Sequence, residues 1–105
     1  MSINLYCHTP RPHRREIGLY QTPDSVTWKC LAAGDWKKTL EAYLAWVDGM
    51  KQDALESRRA EYRAANRGRD MPEWLEAEEV ERYTEHEKEL REAAEQYGHL
   101  EWSYG

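Results

Sequence analysis

DWKKTLEAYLAWVDGMKQDAL, residues 35–55, is where the hydrophobic period of the chain changes. Trp36, Leu40, Tyr43, Leu44, Val47, Met50, Ala54 and Leu55 recur at spacings of three and four, which gathers them on one side of a helix. Asp35 is placed to cap its start. Gly49 costs about 1 kcal/mol relative to alanine, too little to end a packed helix. Beyond Leu55 the stripe thins to Tyr62 and Ala65, so this end is expected to project past the core and to offer a seat for a second subunit in a homodimer. Asn66-Arg67-Gly68 supplies a glycine stop, giving a first helix over 35–66.

Asp70-Met71-Pro72-Glu73 reads as a restart, with Asp70 as cap, Pro72 tolerated in the first turn and Glu73 completing a capping box. The second helix, over 71–97, is expected to bury Leu75, Val80, Tyr83, Leu90, Ala94 and Tyr97 and to stop at Gly98. The connection from Arg67 to Met71 is short, so the two helices must be antiparallel neighbours.

On the N-terminal side the period is two. Ile3, Leu5 and Cys7 alternate with Asn4, Tyr6 and His8, and Glu16–Gln21 and Val26–Leu31 are two further strand candidates. Pro10 and Pro12 mark a loop from Thr9 to Arg15, and Thr22-Pro23-Asp24-Ser25 marks a turn. The tail over 99–105 alternates again through Leu100, Trp102 and Tyr104, and is expected to dock as a fourth strand. The expected class is α+β: a short N-terminal antiparallel sheet of three strands over 1–33, a fourth from the tail, and a long antiparallel helical hairpin, all in one domain over 1–105.

Composition fits a thin, aromatic core. Leu, Ile and Val number fourteen and Phe is absent, while five Trp and seven Tyr supply apolar area. Each such ring can bury roughly 150–250 Å². The chain begins polar and reaches Arg11 early, and no apolar run has the length of a membrane span, so a cytoplasmic protein with no membrane partner is expected. Two cysteines, Cys7 and Cys30, are too few for a disulfide scaffold.

The residues offer little catalytic chemistry. Scattered glycines cannot cradle a phosphate, and no run of residues carries a family signature. Cys7 and His8 are strand neighbours and point to opposite faces, which places them poorly as nucleophile and base. Cys7, His13, Cys30 and His8 lack the paired spacing of a zinc site, and His86 reads as a packed or half-exposed histidine. No enzyme activity, metal or cofactor is expected.

Charge is more informative. Residues 1–70 carry a net of +3 and residues 71–105 a net of −8. On the second helix Glu78, Glu81, Glu85, Glu89 and Glu92 follow spacings of three, four, four and three, forming one stripe headed by Trp74. Arg82 and Arg91 are placed to offset Glu78 and Glu87, and Lys88 dilutes the row. An aromatic anchor beside a charged rim is a common interface layout, so Trp74, Glu78, Glu81, Glu85, Glu89 and Glu92 form the expected contact surface for a protein partner with a basic surface. The bland alternative is a solvated helix face.

A sharper version is a nucleic-acid mimic that inhibits a DNA- or RNA-binding machine such as a restriction or CRISPR nuclease. Its charges fall one per about 4–5 Å of helix, against one per about 1.7 Å along duplex DNA, so a single stripe is sparse. The rival reading is direct nucleic-acid binding through Arg11, Arg14 and Arg15 in the loop and Arg58, Arg59, Arg63, Arg67 and Arg69 at the helical tip, with Tyr6, Tyr20 and Trp28 stacking on bases. An isoelectric point near 5.4 argues against it.

Overall fold

The computed structural model describes residues 4–21 and 34–104. It is α+β, with strands β1 (Leu5–His8) and β2 (Glu16–Ile17), helices α1 (Trp36–Ala65) and α2 (Glu73–Tyr97), and strand β3 (Glu101–Tyr104). The sheet is antiparallel in the order β2-β1-β3. The expected strand over Val26–Leu31, with its turn at Thr22–Ser25, lies outside the described residues.

Strand β1 buries Leu5 and Cys7 and leaves Tyr6 and His8 half-buried, as period-two alternation requires. The tail returns as β3, setting Trp102 opposite Cys7 and Tyr104 opposite Leu5. The expected second strand shrinks from Glu16–Gln21 to two residues because side chains replace its ladder. Gln21 Oε1 accepts from the Leu5 amide at 3.0 Å, and the Tyr20 amide donates to the Tyr43 hydroxyl at 2.9 Å. Thr9, fully buried, ties the intervening loop: its hydroxyl donates to the His13 carbonyl at 2.9 Å and accepts from the Arg15 amide at 2.8 Å.

Helix α1 starts where expected, with the Asp35 carboxylate accepting from the Lys38 amide at 3.1 Å. It runs unbroken through Gly49. At its end the Gly68 amide donates to the Arg63 carbonyl at 2.8 Å, closing a Schellman turn. Arg67, with φ 55°, occupies the left-handed position that glycine usually fills.

Helix α2 begins later than the capping box suggested. Asp70 does not cap it; its carboxylate instead accepts from Arg63 at 2.9 Å. Pro72, at φ −63° and ψ 147°, is still extended and is itself the cap residue, its carbonyl accepting from the Leu75 and Glu76 amides. The cause is steric: a residue preceding proline is pushed out of the helical region, so Met71 cannot start the helix. Glu73 and Glu76 then place negative charge in the first turn, where the helix dipole favours it.

The core gathers Leu40, Tyr43, Leu44 and Val47 of α1, Val80, Tyr83, Leu90 and Ala93 of α2, and Leu5, Cys7, Ile17 and Leu100 from the sheet side. Leu75, Ala94 and Tyr97 are half-buried rather than buried, and Ala93 takes an inward position the spacing had not given it. Burial pushes the Cys7 thiol up to about 12, leaving a protonated, unreactive side chain. Past Leu55, α1 buries no side chain, and ion pairs connect the helices instead: Arg58 with Glu79 at 3.8 Å, Arg59 with Glu76, and Arg63 with Asp70 at 2.9 Å. Among the described residues no helix is long and apolar enough to cross a membrane.

Candidate functional site

Helix α2 turns Val80, Tyr83 and Leu90 inward, and residues half a turn away point outward at 100° per residue. Trp74, Glu78, Glu81, Glu85, Glu89 and Glu92 all fall within the outward sector and all are exposed. Trp74 keeps 68% of its surface in solvent, the one large apolar side chain so exposed among the described residues. Trp is among the residue types enriched at binding hot spots, which makes this position the candidate anchor of the stripe.

The stripe is continuous in space but divided in electrostatics. Glu89 pairs with Arg15 at 3.4 Å, and Glu92 with Lys88 at 3.9 Å. Glu78, Glu81 and Glu85 form no ion pair among the described residues. The offsets expected within the helix do not form. Arg82 turns away from Glu78, donating to the Tyr83 hydroxyl at 2.8 Å and covering the Tyr83 ring at 4.7 Å. Glu87 is taken not by Arg91 but by Lys51 of α1, at 3.8 Å. Three adjacent carboxylates therefore have no ion-pair partner among the described residues, and two face a cation across exposed contacts.

A groove flanks this ridge on each side. One, of about 470 Å³, runs between α1 and α2 over Lys51, Ala77, Val80 and Thr84, with Glu78, Glu81 and Glu85 along its rim. The other, of about 620 Å³, lies toward the sheet between Arg15, Tyr20, His86 and Ala93, and Glu85 is common to both. Ala77 and Thr84 had no part in the sequence argument. Their spacing of seven, two small residues on one line beside the stripe, was a readable signal for a groove.

His86 anchors the floor of the larger groove. The Tyr43 hydroxyl accepts from the Tyr20 amide at 2.9 Å and shares a second hydrogen bond with His86 Nε2, 2.6 Å away. Burial raises the Tyr43 phenol above its ordinary value and lowers the His86 imidazole below its own, with Glu89 and Glu87 partly opposing the latter. Both groups are thus neutral near pH 7, and His86 stands edge-on to Tyr20 with centroids 5.0 Å apart. The three residues form a hydrogen-bond chain that ties the segment after β2 to α1 and α2. Nor do those residues hold any group of three or more His, Cys, Asp and Glu side chains arranged for a metal.

The arginines do not assemble into one basic track. Arg14 pairs with Glu101 at 3.4 Å and Arg15 with Glu89, both at the sheet end. Arg58, Arg59 and Arg63 are committed to Glu61, Glu79, Glu76 and Asp70 near the other end. Arg11, Arg67 and Arg69 form no ion pair among the described residues, but Arg11 sits in the sheet loop and the other two at the tip. Of the proposed stacking rings, Tyr20 is packed against Tyr83 and His86, and Trp28 lies outside the described residues. Compared with protein families, curated proteins and solved structures, the chain matches none.

Proposed function

We propose that the chain is a non-enzymatic protein-binding module, an adaptor or inhibitor, whose ridge of Trp74, Glu78, Glu81 and Glu85 docks on a basic surface of a protein partner in the cytoplasm. The observation that carries this reading is the exposed indole at the head of three carboxylates with no cation of their own. Trp is enriched among residues that dominate binding energy, and an uncompensated charge row steers a basic partner and is desolvated at least cost when that partner supplies the counter-charge. The expected contact surface narrows accordingly, since Glu89 and Glu92 would have to break internal pairs to contribute.

Mimicry of duplex nucleic acid gains nothing from this geometry, because three free carboxylates over two turns remain sparser than the roughly 1.7 Å spacing of DNA charge. Direct nucleic-acid binding fares worse, because its arginines are split between two ends and mostly neutralised in place. Affinity capture from the source lysate with the wild-type chain, compared with Trp74→Ala and with the triple reversal Glu78→Lys, Glu81→Lys, Glu85→Lys, tests the reading. The partner recovered by wild type should be lost from both variants while their helical circular dichroism is unchanged. Equal recovery by all three rejects the module.

A further inference from the structure

The groove between α1 and α2 has features that a flat charged ridge lacks. Its floor is apolar, formed by Val80 with Ala77 and Thr84 beside it. Ala77 and Thr84 are seven residues apart, hence aligned along the helix, and both are small enough to let another backbone approach closely. Its outer rim is Glu78, Glu81 and Glu85, none neutralised. Its opposite wall carries one cation, Lys51, and that charge is already matched by Glu87 at 3.8 Å. Trp74 stands one turn before Ala77 on the same helix, outside the residues that line the groove.

We infer that this groove seats a basic amphipathic helix of the partner protein, an assignment that rests on the reading of the ridge as a protein-docking surface. A helix fits because the groove follows α2 from Ala77 to Glu85 and its rim charges repeat at helical spacing. A docked helix with Lys or Arg at i, i+3 and i+7 meets Glu78, Glu81 and Glu85 in turn, and its aliphatic residues cover Ala77, Val80 and Thr84. From Trp74 to Glu85 the contact extends about 16 Å, which is three turns of the incoming helix. A second copy of this chain is a poor occupant: its own outward face is acidic, its net charge is −5, and antiparallel ridges would set like charges opposite each other. A nucleic acid is repelled by the same rim.

The test pans a displayed library of random peptides of about 16 residues, long enough for roughly four helical turns, against the full chain. Fluorescence anisotropy then measures the selected peptides on wild type, on the groove-filling variants Ala77→Trp and Thr84→Trp, and on Glu78→Gln/Glu81→Gln/Glu85→Gln. Enriched peptides should become helical on binding and carry cations on one face with Leu or Ala beside them. Their affinity should fall at least about tenfold in the groove variants and in the charge variant, as for loss of a binding hot spot, and scrambled peptides of equal charge should bind no better than background. No enrichment, or enrichment of proline-containing extended peptides, overturns the inference. Loss in the charge variant with full binding in both groove variants also overturns it, while leaving the ridge as a docking surface. Full binding in every variant sinks both readings. If sedimentation shows a dimer that Ala77→Trp dissociates, the groove belongs to a second copy and the assignment is wrong.

Discussion

The half of the helical hairpin beside the sheet and the half beside the tip are held together by different forces. Beside the sheet, Leu40, Tyr43, Leu44, Val47, Leu90 and Ala93 are buried, and the Tyr43 hydroxyl joins the Tyr20 backbone to His86. Toward the tip, burial narrows to Leu55, Val80, Tyr83 and Met71, and arginines at the surface reach across to carboxylates. The outward face of α2 divides in a related way, with Glu89 and Glu92 neutralised near the sheet and Glu78, Glu81 and Glu85 unpaired farther out. Apolar burial at one end fixes the rod in place, so the other end can hold unneutralised charge and an exposed indole without loss of the fold.

The sharpest break of that comparison is Leu90→Ala. Leu90 is fully buried, and the truncation should destabilise the chain by about 3 kcal/mol, read as a lower urea midpoint. A loss below about 1 kcal/mol would mean that the sheet half is not the stabilising half. Next is Tyr43→Phe, which leaves the Tyr20 amide and His86 Nε2 without their partner. About 2 kcal/mol should be lost, and a variant as stable as wild type would contradict the hydrogen-bond chain.

The same chain sets a pH dependence. Burial lowers the folded-state pKa of His86 from its ordinary 6.5, so folding favours the neutral ring. This contribution is complete above the unfolded-state value and is lost as pH falls through the folded-state value. Urea midpoints should therefore drop below about pH 6.5, and less steeply in His86→Asn. Equal slopes in the two proteins would remove His86 from the account.

At the tip the effects are smaller. Arg67→Gly relieves the left-handed backbone at φ 55° and should stabilise by about 0.5 kcal/mol. Raising ionic strength from about 0.1 to 1 M shortens the screening length from roughly 10 to 3 Å. Amide exchange near Arg59, Arg63 and Glu76 should quicken with salt, while amides near Tyr43 and Leu90 keep their protection. A uniform response along both helices would erase the distinction between the halves.

Much of this architecture was legible in the sequence because it depends on local period. The spacing from Trp36 to Leu55 marks α1, Asp35 marks its start, and the alternation of Leu100, Trp102 and Tyr104 marks the returning strand. The outward stripe was readable for the same reason. What the sequence concealed depends on distant partners. Arg15 neutralises Glu89 across 74 positions, and Gln21 and Tyr43 replace a strand ladder from 16 and 23 positions away. Asp70 was read as a cap because the local motif allowed it, whereas Arg63 competes for its carboxylate and Pro72 delays the helix. The division of the stripe into paired Glu89 and Glu92 and unpaired Glu78, Glu81 and Glu85 therefore could not come from spacing alone.

The central claim is that the two parts of the acidic stripe are not equivalent. Dissociation constants of the captured partner, measured for Glu78→Lys/Glu81→Lys/Glu85→Lys and for Glu89→Lys/Glu92→Lys beside wild type, test it most directly. The first variant should lose about a hundredfold or more in affinity, and the second should stay within about threefold, as for a charge at an interface rim. Equal losses, or a larger loss on reversing Glu89 and Glu92, would contradict the account.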